Sequence, residues 1–214
     1  MFRMIPLLWA ALATGVFAQA GADSVPQVLV MPYDSTMEDR VTVDGYIDKE
    51  DDEYPASFTN KATGITVYWG YDDSLMFIGL ESKGKGWLAI GFGSDKMHEA
   101  NMVIGRFHND VAEVVNHVGV NRTHAAANLG DSLLIESEID FDEETGTMAM
   151  EFVYPLSWNG LKGAAISGLV PGEVYDLLLA RNARTAALTA KHGQKAQLKF
   201  QLATNPGEKK SGEQ

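Results

Sequence analysis

The feature that most constrains this chain is its recurring alternation of short β-branched or aromatic runs with turn residues. Ile65–Trp69 reads ITVYW and is followed by the turn signal GYDDS. The runs LMFIGLES, GWLAIGFG, NMVIGRF, DVAEVVNHV, SLLIESEIDF, TMAMEFVYP, VYDLLLARN and KAQLKFQL come after it. That makes about nine or ten short strands separated by turns, the pattern of a sandwich or a barrel. No stretch repeats apolar residues at helical spacing, and no internal repeat is visible. A chain of 214 residues, 45% hydrophobic, has the material for one large all-β core.

The ends read differently from the middle. Residues 1–20 carry Arg3, an apolar run from Ile5 to Ala18 and a small-x-small site at Ala18-Gln19-Ala20. This is the pattern of a secretory signal peptide. The expectation is therefore export to a periplasmic or extracellular space, with no membrane span in the mature chain. Residues 21–38 read as an N-terminal leader, 39–203 as the domain, and 204–214 as a polar, disordered tail. The chain contains no cysteine. Disulfides, iron–sulfur clusters, thiol catalysis and haem attached covalently through C-x-x-C-H are thereby excluded. The net charge of −12 argues against nucleic acid and anionic membrane surfaces as partners and is compatible with a basic protein partner.

Two runs carry positional information. In KAQLKFQL the even positions Ala196, Leu198, Phe200 and Leu202 are apolar and the odd positions Lys195, Gln197, Lys199 and Gln201 are polar. One face is buried and one is wet. Extending the even phase backward passes Gln194 and reaches His192, which would then point inward. In GWLAIGFG there is no such alternation. Trp87 and Ala89 lie on one face and Leu88, Ile90 and Phe92 on the other, so this strand is expected to be covered on both sides.

Chemistry-bearing constellations are few. There is no G-x-S-x-G, no phosphate loop and no dinucleotide fingerprint. Five histidines occur, His98, His108, His117, His124 and His192, and none completes H-E-x-x-H, so zinc is poorly supported. The acidic run 48–55 lacks the spacing of a calcium loop and reads as a solvated turn. Trp69, Trp87 and Trp158 are core residues or sugar-stacking platforms, with core packing favoured for the two that lie in strands. The unusual residue is Met97, a large thioether in the polar loop Ser94–Asn101. It either folds back onto the sheet as packing or serves as a soft metal ligand of the kind used for haem iron and copper.

The segments DGYIDKEDDEYPASF, TGITVYWGYDDSLMFIGLES, GWLAIGFGSDKMHEANMVIG and LTAKHGQKAQLKF together resemble the DOMON family. The likeness is to its haem-binding members, such as the cytochrome domain of cellobiose dehydrogenase, and to small bacterial exported DOMON proteins. It covers roughly residues 39–203; its specific part is Gly-Trp-x-Ala-x-Gly-Phe-Gly followed by a methionine and Asn-x-x-Ile-Gly. The resemblance implies an immunoglobulin-like antiparallel β-sandwich. It implies non-covalent haem b clamped by Met97 and His192, with Met102 as the alternative sulfur and Lys191 as the alternative to the histidine. It implies an electron-transfer protein with no catalytic site of its own and a redox protein as partner. Other DOMON modules bind carbohydrate or another ligand without haem, and some are redox subunits of larger dehydrogenase complexes.

Overall fold

The computed structural model describes residues 28–108 and 111–205. The expected signal peptide, residues 1–20, lies outside the described residues, as do 21–27 of the leader and 206–214 of the tail. Among the described residues are twelve strands: β1 (Val28–Met31), β2 (Ala56–Asn60), β3 (Ile65–Tyr71), β4 (Leu75–Lys83), β5 (Gly86–Phe92), β6 (Asn101–His108), β7 (Val111–Val120), β8 (Thr123–Ala126), β9 (Glu136–Asp142), β10 (Thr147–Pro155), β11 (Val174–Asn182) and β12 (Gln194–Leu202). A four-residue helix, Met37–Arg40, follows β1. No helix among the described residues is long and apolar enough to cross a membrane.

The strands form two sheets, one ordered β1-β12-β11-β5-β6-β7-β8 and the other β2-β3-β4-β10-β9. Every named pairing is antiparallel except that of β1 with β12. The fold is the expected β-sandwich. Val28–Met31, read from the sequence as leader, is an edge strand of the larger sheet, with Met31 opposite Leu202.

Side-chain alternation divides the apolar residues into layers. Leu88, Ile90 and Phe92 of β5 join Leu177, Leu179, Phe200, Trp69 and Phe152 in the core between the sheets. The opposite phase of β4 and β10, with Phe77, Ala149 and Val153, packs under Met37, Ile47 and Tyr54 on the outer face of the five-stranded sheet. The opposite phase of β5 and its neighbours forms a third cluster, on the outer face of the seven-stranded sheet: Trp87, Ala89, Met102 and Ile104, joined by Leu178, Ala180, Met97, Ala100 and Leu188. β5 is accordingly buried at all seven positions. Trp69, Trp87 and Trp158 are buried as well, and the Trp158 Nε1–H donates to the Ile166 carbonyl at 2.7 Å.

Candidate functional site: an apolar cleft on the outer face of the larger sheet

The third cluster is not sealed. It surrounds a cleft of about 340 Å³, to which Met97, Met102 and His192 all contribute. The floor is made of small residues. Ala89 and Gly91 from β5 lie beside Ala180 and Leu178 from β11. A Cβ built on Gly91 would sit 3.1 Å from Met102 Cγ and 3.5 Å from Leu178 Cβ. The missing side chain keeps the floor flat where a branched residue would fill it.

One wall is the loop between β5 and β6. The Ser94 hydroxyl donates to the His98 carbonyl at 2.8 Å, and the Ala100 N–H donates to the Met97 carbonyl at 3.2 Å. The loop is stitched to the end of β7: the Glu99 N–H donates to the Gly119 carbonyl at 2.9 Å and the Gly119 N–H to the Ala100 carbonyl at 3.0 Å. Glu99 takes φ of 65° at this turn. A Cβ on Gly119 would lie 1.5 Å from the Met97 carbonyl oxygen, so only glycine lets the Met97 loop approach so closely. Met97 is half-buried against the cluster. It is neither solvent-facing nor sealed in the sheet.

The other wall is formed by Lys195 and Gln197 of β12 and by His192 at the end of the arm between β11 and β12. The arm is pinned at its end, where the Gly193 N–H donates to the Arg181 carbonyl and the Asn182 side-chain amide donates to the Lys191 carbonyl, both at 2.9 Å. It is pinned near its middle by His124, whose Nε2 lies 2.9 Å from the Leu188 carbonyl. A nitrogen facing a carbonyl must carry the proton, so the Nδ1 of a neutral His124 accepts from His117 Nδ1–H across 2.6 Å. His117 and His124 thus act on each other and on the arm. His98 is occupied elsewhere, its Nδ1 accepting from the Asn121 N–H at 3.1 Å.

His192 reaches the cleft by a different route from the one its phase suggested. The even phase of β12 does point into the core, where Phe200 and Leu202 are buried. Continued to residue 192, it would place the imidazole between the sheets. The strand instead begins at Gln194 after a bend at Gly193, and His192 lines the cleft on the outer face. Burial, with the positive charges of Lys195 and Lys191, pushes its pKa below the ordinary value. The neutral ring so favoured has a nitrogen lone pair to offer. Lys191 lines a separate, open depression with Arg184 and Gln194.

Met102 lies on β6 directly opposite Gly91, and its carbonyl accepts from Asn116 Nδ2 at 3.1 Å. The Asn101 before it is wholly buried in a polar knot: its amide donates to the Tyr154 hydroxyl at 3.0 Å and its oxygen accepts from Asn116 at 2.8 Å. The asparagine of the Asn-x-x-Ile-Gly segment therefore anchors the start of β6. Among the described residues no three His, Asp or Glu side chains gather as a metal-holding group. The residues that sequence reasoning passed over are Ala89, Gly91 and Ala180. The signal for the first two was present, since the odd phase of GWLAIGFG shrinks from Trp87 to Ala89 to Gly91.

Neither a protein-family model nor a curated protein matches the chain. Similarity appears among solved structures. The cytochrome b domain of pyranose dehydrogenase from Coprinopsis cinerea superimposes with a TM-score of 0.52 at 13% identity, over 68% of this chain and 80% of that one. The cytochrome domain of Myriococcum thermophilum cellobiose dehydrogenase gives a TM-score of 0.52 at 16% identity, over 71% and 84%. A family 9 carbohydrate-binding module from Caldicellulosiruptor kristjanssonii gives 0.49 at 8% identity, over 85% and 96%. The chain has the β-sandwich fold of the two cytochrome domains.

Proposed function

We propose that this chain is an exported b-type cytochrome that holds one non-covalent haem b in the outer-face cleft and passes single electrons to or from a protein partner. The observation that carries this reading is the convergence of Met97 and His192, ninety-five positions apart, on one apolar cleft. The residues fit the group. Ala89, Gly91 and Ala180 leave a flat apolar floor, a thioether and a largely neutral imidazole stand at its walls, and no cysteine is available for covalent attachment.

Haem in such a site supplies a one-electron iron couple. Met97 would offer sulfur, which favours the reduced metal, and His192 would offer nitrogen. Met97 and His192 would together hold the group through the chain's own donors, and the chemistry it would supply is one-electron transfer. Leu178 of the floor and Leu188 of the outer cluster would help to keep water from the bound group. The net charge of −12 would draw a basic redox partner by long-range attraction.

The test is the visible spectrum of protein purified from the exported fraction. A red, low-spin holoprotein with sharp bands on reduction is expected, and acid–acetone should extract its pigment. A protein that stays colourless after haem reconstitution would overturn the reading and leave a module for another ligand. Co-purification with a dehydrogenase would make the chain a subunit of a larger complex.

A further inference from the structure

Two lysines line the cleft of a chain that is acidic overall. From Leu177 to Gly207 the sequence contains Arg181, Arg184, Lys191, Lys195 and Lys199 and no aspartate or glutamate, against −12 for the whole chain. Of these only Lys195 lines the cleft, while Arg184 and Lys191 line the separate depression. Lys199 is engaged, 2.7 Å from the Asp176 carboxylate. Lys195 lies on the outer phase of β12, opposite Ala180 of the floor, and is exposed. Lys96 stands on the facing loop beside Met97, also exposed, and both lysines line the cleft. Neither is in an ion pair among the described residues, although Asp95 lines the same cleft.

A flat ligand held between the two walls of an apolar cleft is still free to turn in its own plane. Two cations, one on each side of the cleft, remove that freedom if the ligand carries anionic groups on one edge, because carboxylates are stable only where they stay hydrated or meet a cation. We infer that Lys96 and Lys195 bind the carboxylates of the ligand seated in this cleft. On the haem reading above, on which this rests, these are the two ring propionates, and the lysines set the orientation of the ring. The pairs are at the surface, so each contributes modestly and is screened by salt.

The test titrates the full chain, freed of ligand, with iron protoporphyrin IX and with its dimethyl ester, which lacks the negative charges. The wild type should prefer the diacid by roughly 10-fold at low salt and by less at high salt, and Lys96→Gln with Lys195→Gln together should bring the ratio to near one. The ester should bind both proteins alike, and the urea midpoint of the ligand-free double variant should match the wild type, which shows that the fold is intact. An unchanged diacid-to-ester ratio in the double variant would overturn the assignment. Failure of the wild type to bind either porphyrin would overturn the haem reading itself, a different outcome from the first.

Discussion

On the outer face of the five-stranded sheet, Phe77, Ala149 and Val153 are covered by Met37, Ile47 and Tyr54. On the outer face of the seven-stranded sheet, Trp87, Ala89 and Met102 are covered only in part, by Met97 and Leu188, and a cleft remains. Both faces use glycine to thin the sheet. A Cβ on Gly70 would meet Met37 Sδ at 2.6 Å and Pro55 Cγ at 2.7 Å, and one on Gly79 would meet Ile47 Cδ1 at 3.0 Å. There the chain itself occupies the room the glycines leave. At Gly91 the nearest atom is on Met102, at 3.1 Å, and beyond the floor the space is open. A face whose recesses are filled by its own sequence is a stability element; a face with an equally apolar floor and no lid of its own is a binding element. If this distinction holds, changes on the first face move the folding equilibrium, and changes on the second move ligand affinity while leaving the ligand-free protein as stable as before.

The sharpest break would come from His192→Ala. Removing the nitrogen donor should lower haem affinity on the order of 100-fold, about 2.7 kcal/mol. The unfolding free energy of the ligand-free protein in urea should stay within about 0.5 kcal/mol of wild type, because His192 is at the surface end of the arm and outside the core. A ligand-free variant that unfolds early would make the arm a structural lid and erase the contrast between the two faces.

The filled face has its own signature, in pH. Glu151 is wholly buried there. Its carboxylate accepts from the Tyr54 hydroxyl at 2.7 Å, the Gly45 N–H at 3.1 Å and the Asp44 N–H at 3.3 Å. Burial outweighs these bonds and pushes its pKa up to about 7. A carboxyl whose folded value is raised keeps its proton in the native state while the unfolded chain has released it. Its contribution to stability is therefore complete below pH 4.5 and is lost as pH rises to about 7, a change of roughly 3 kcal/mol at most. Asp34 and Asp142, held low by bonds from Thr36 and Thr145 respectively, have the opposite sign and act at lower pH. The clean measurement is the wild-type minus Glu151→Gln stability difference at pH 5 and pH 8. It should shift toward the variant at pH 8, and an equal difference at both values would show that Glu151 does not titrate in this window.

Paired glycine substitutions give a smaller effect and test the contrast directly. Gly70→Ala should destabilise the ligand-free protein by about 1–3 kcal/mol, since the new methyl collides with Met37 and Pro55. Gly91→Ala should cost less than about 1 kcal/mol, with Met102 yielding by a few tenths of an ångström, yet it should weaken haem binding, which Gly70→Ala should change only through folding. Equal destabilisation by the two would mean that the cleft floor is packed as tightly as the other face.

The strand pattern of this chain was legible because β-branched and aromatic runs between turns leave few alternatives. Three strands were missed. Val28–Met31, reading VLVM, is β-branched but only four residues long and pairs in parallel with a strand some 170 positions away, while Ala56–Asn60, reading ASFTN, and Thr123–Ala126, reading THAA, have little β-branched character. Met97 stood out because a large thioether in a polar loop needs a reason. His192 was singled out by a phase that ends at Gly193, so the geometry that brings it to the cleft was not in the alternation at all. Glu151 could not be seen, since its burial depends on Tyr54 and Gly45, roughly a hundred positions earlier in the chain.

The finest distinction is between two methionines that share the cleft. Met102 is on a regular strand, 7% exposed, with its Cγ against the Gly91 floor and its backbone carbonyl held by Asn116. Met97 is on a wall, half-buried, on a loop held by backbone bonds to Gly119. A strand methionine on the floor would meet only the edge of a ligand held between the walls and would act as packing, whereas a wall methionine would face it. Met97→Ala should therefore leave haem bound while opening an axial position, with a five-coordinate or water-ligated high-spin spectrum. Met97→His should restore low spin at a lower potential, because imidazole replaces thioether. Met102→Ala should keep the low-spin spectrum and lower affinity only slightly. A high-spin spectrum from the Met102 variant alone would move the sulfur ligand from the wall to the floor. A low-spin spectrum from both would remove methionine from the axial role. The second donor would then have to be another histidine, and of His98, His117 and His124 the last two face the outer cluster but would first have to give up the bond they make to each other.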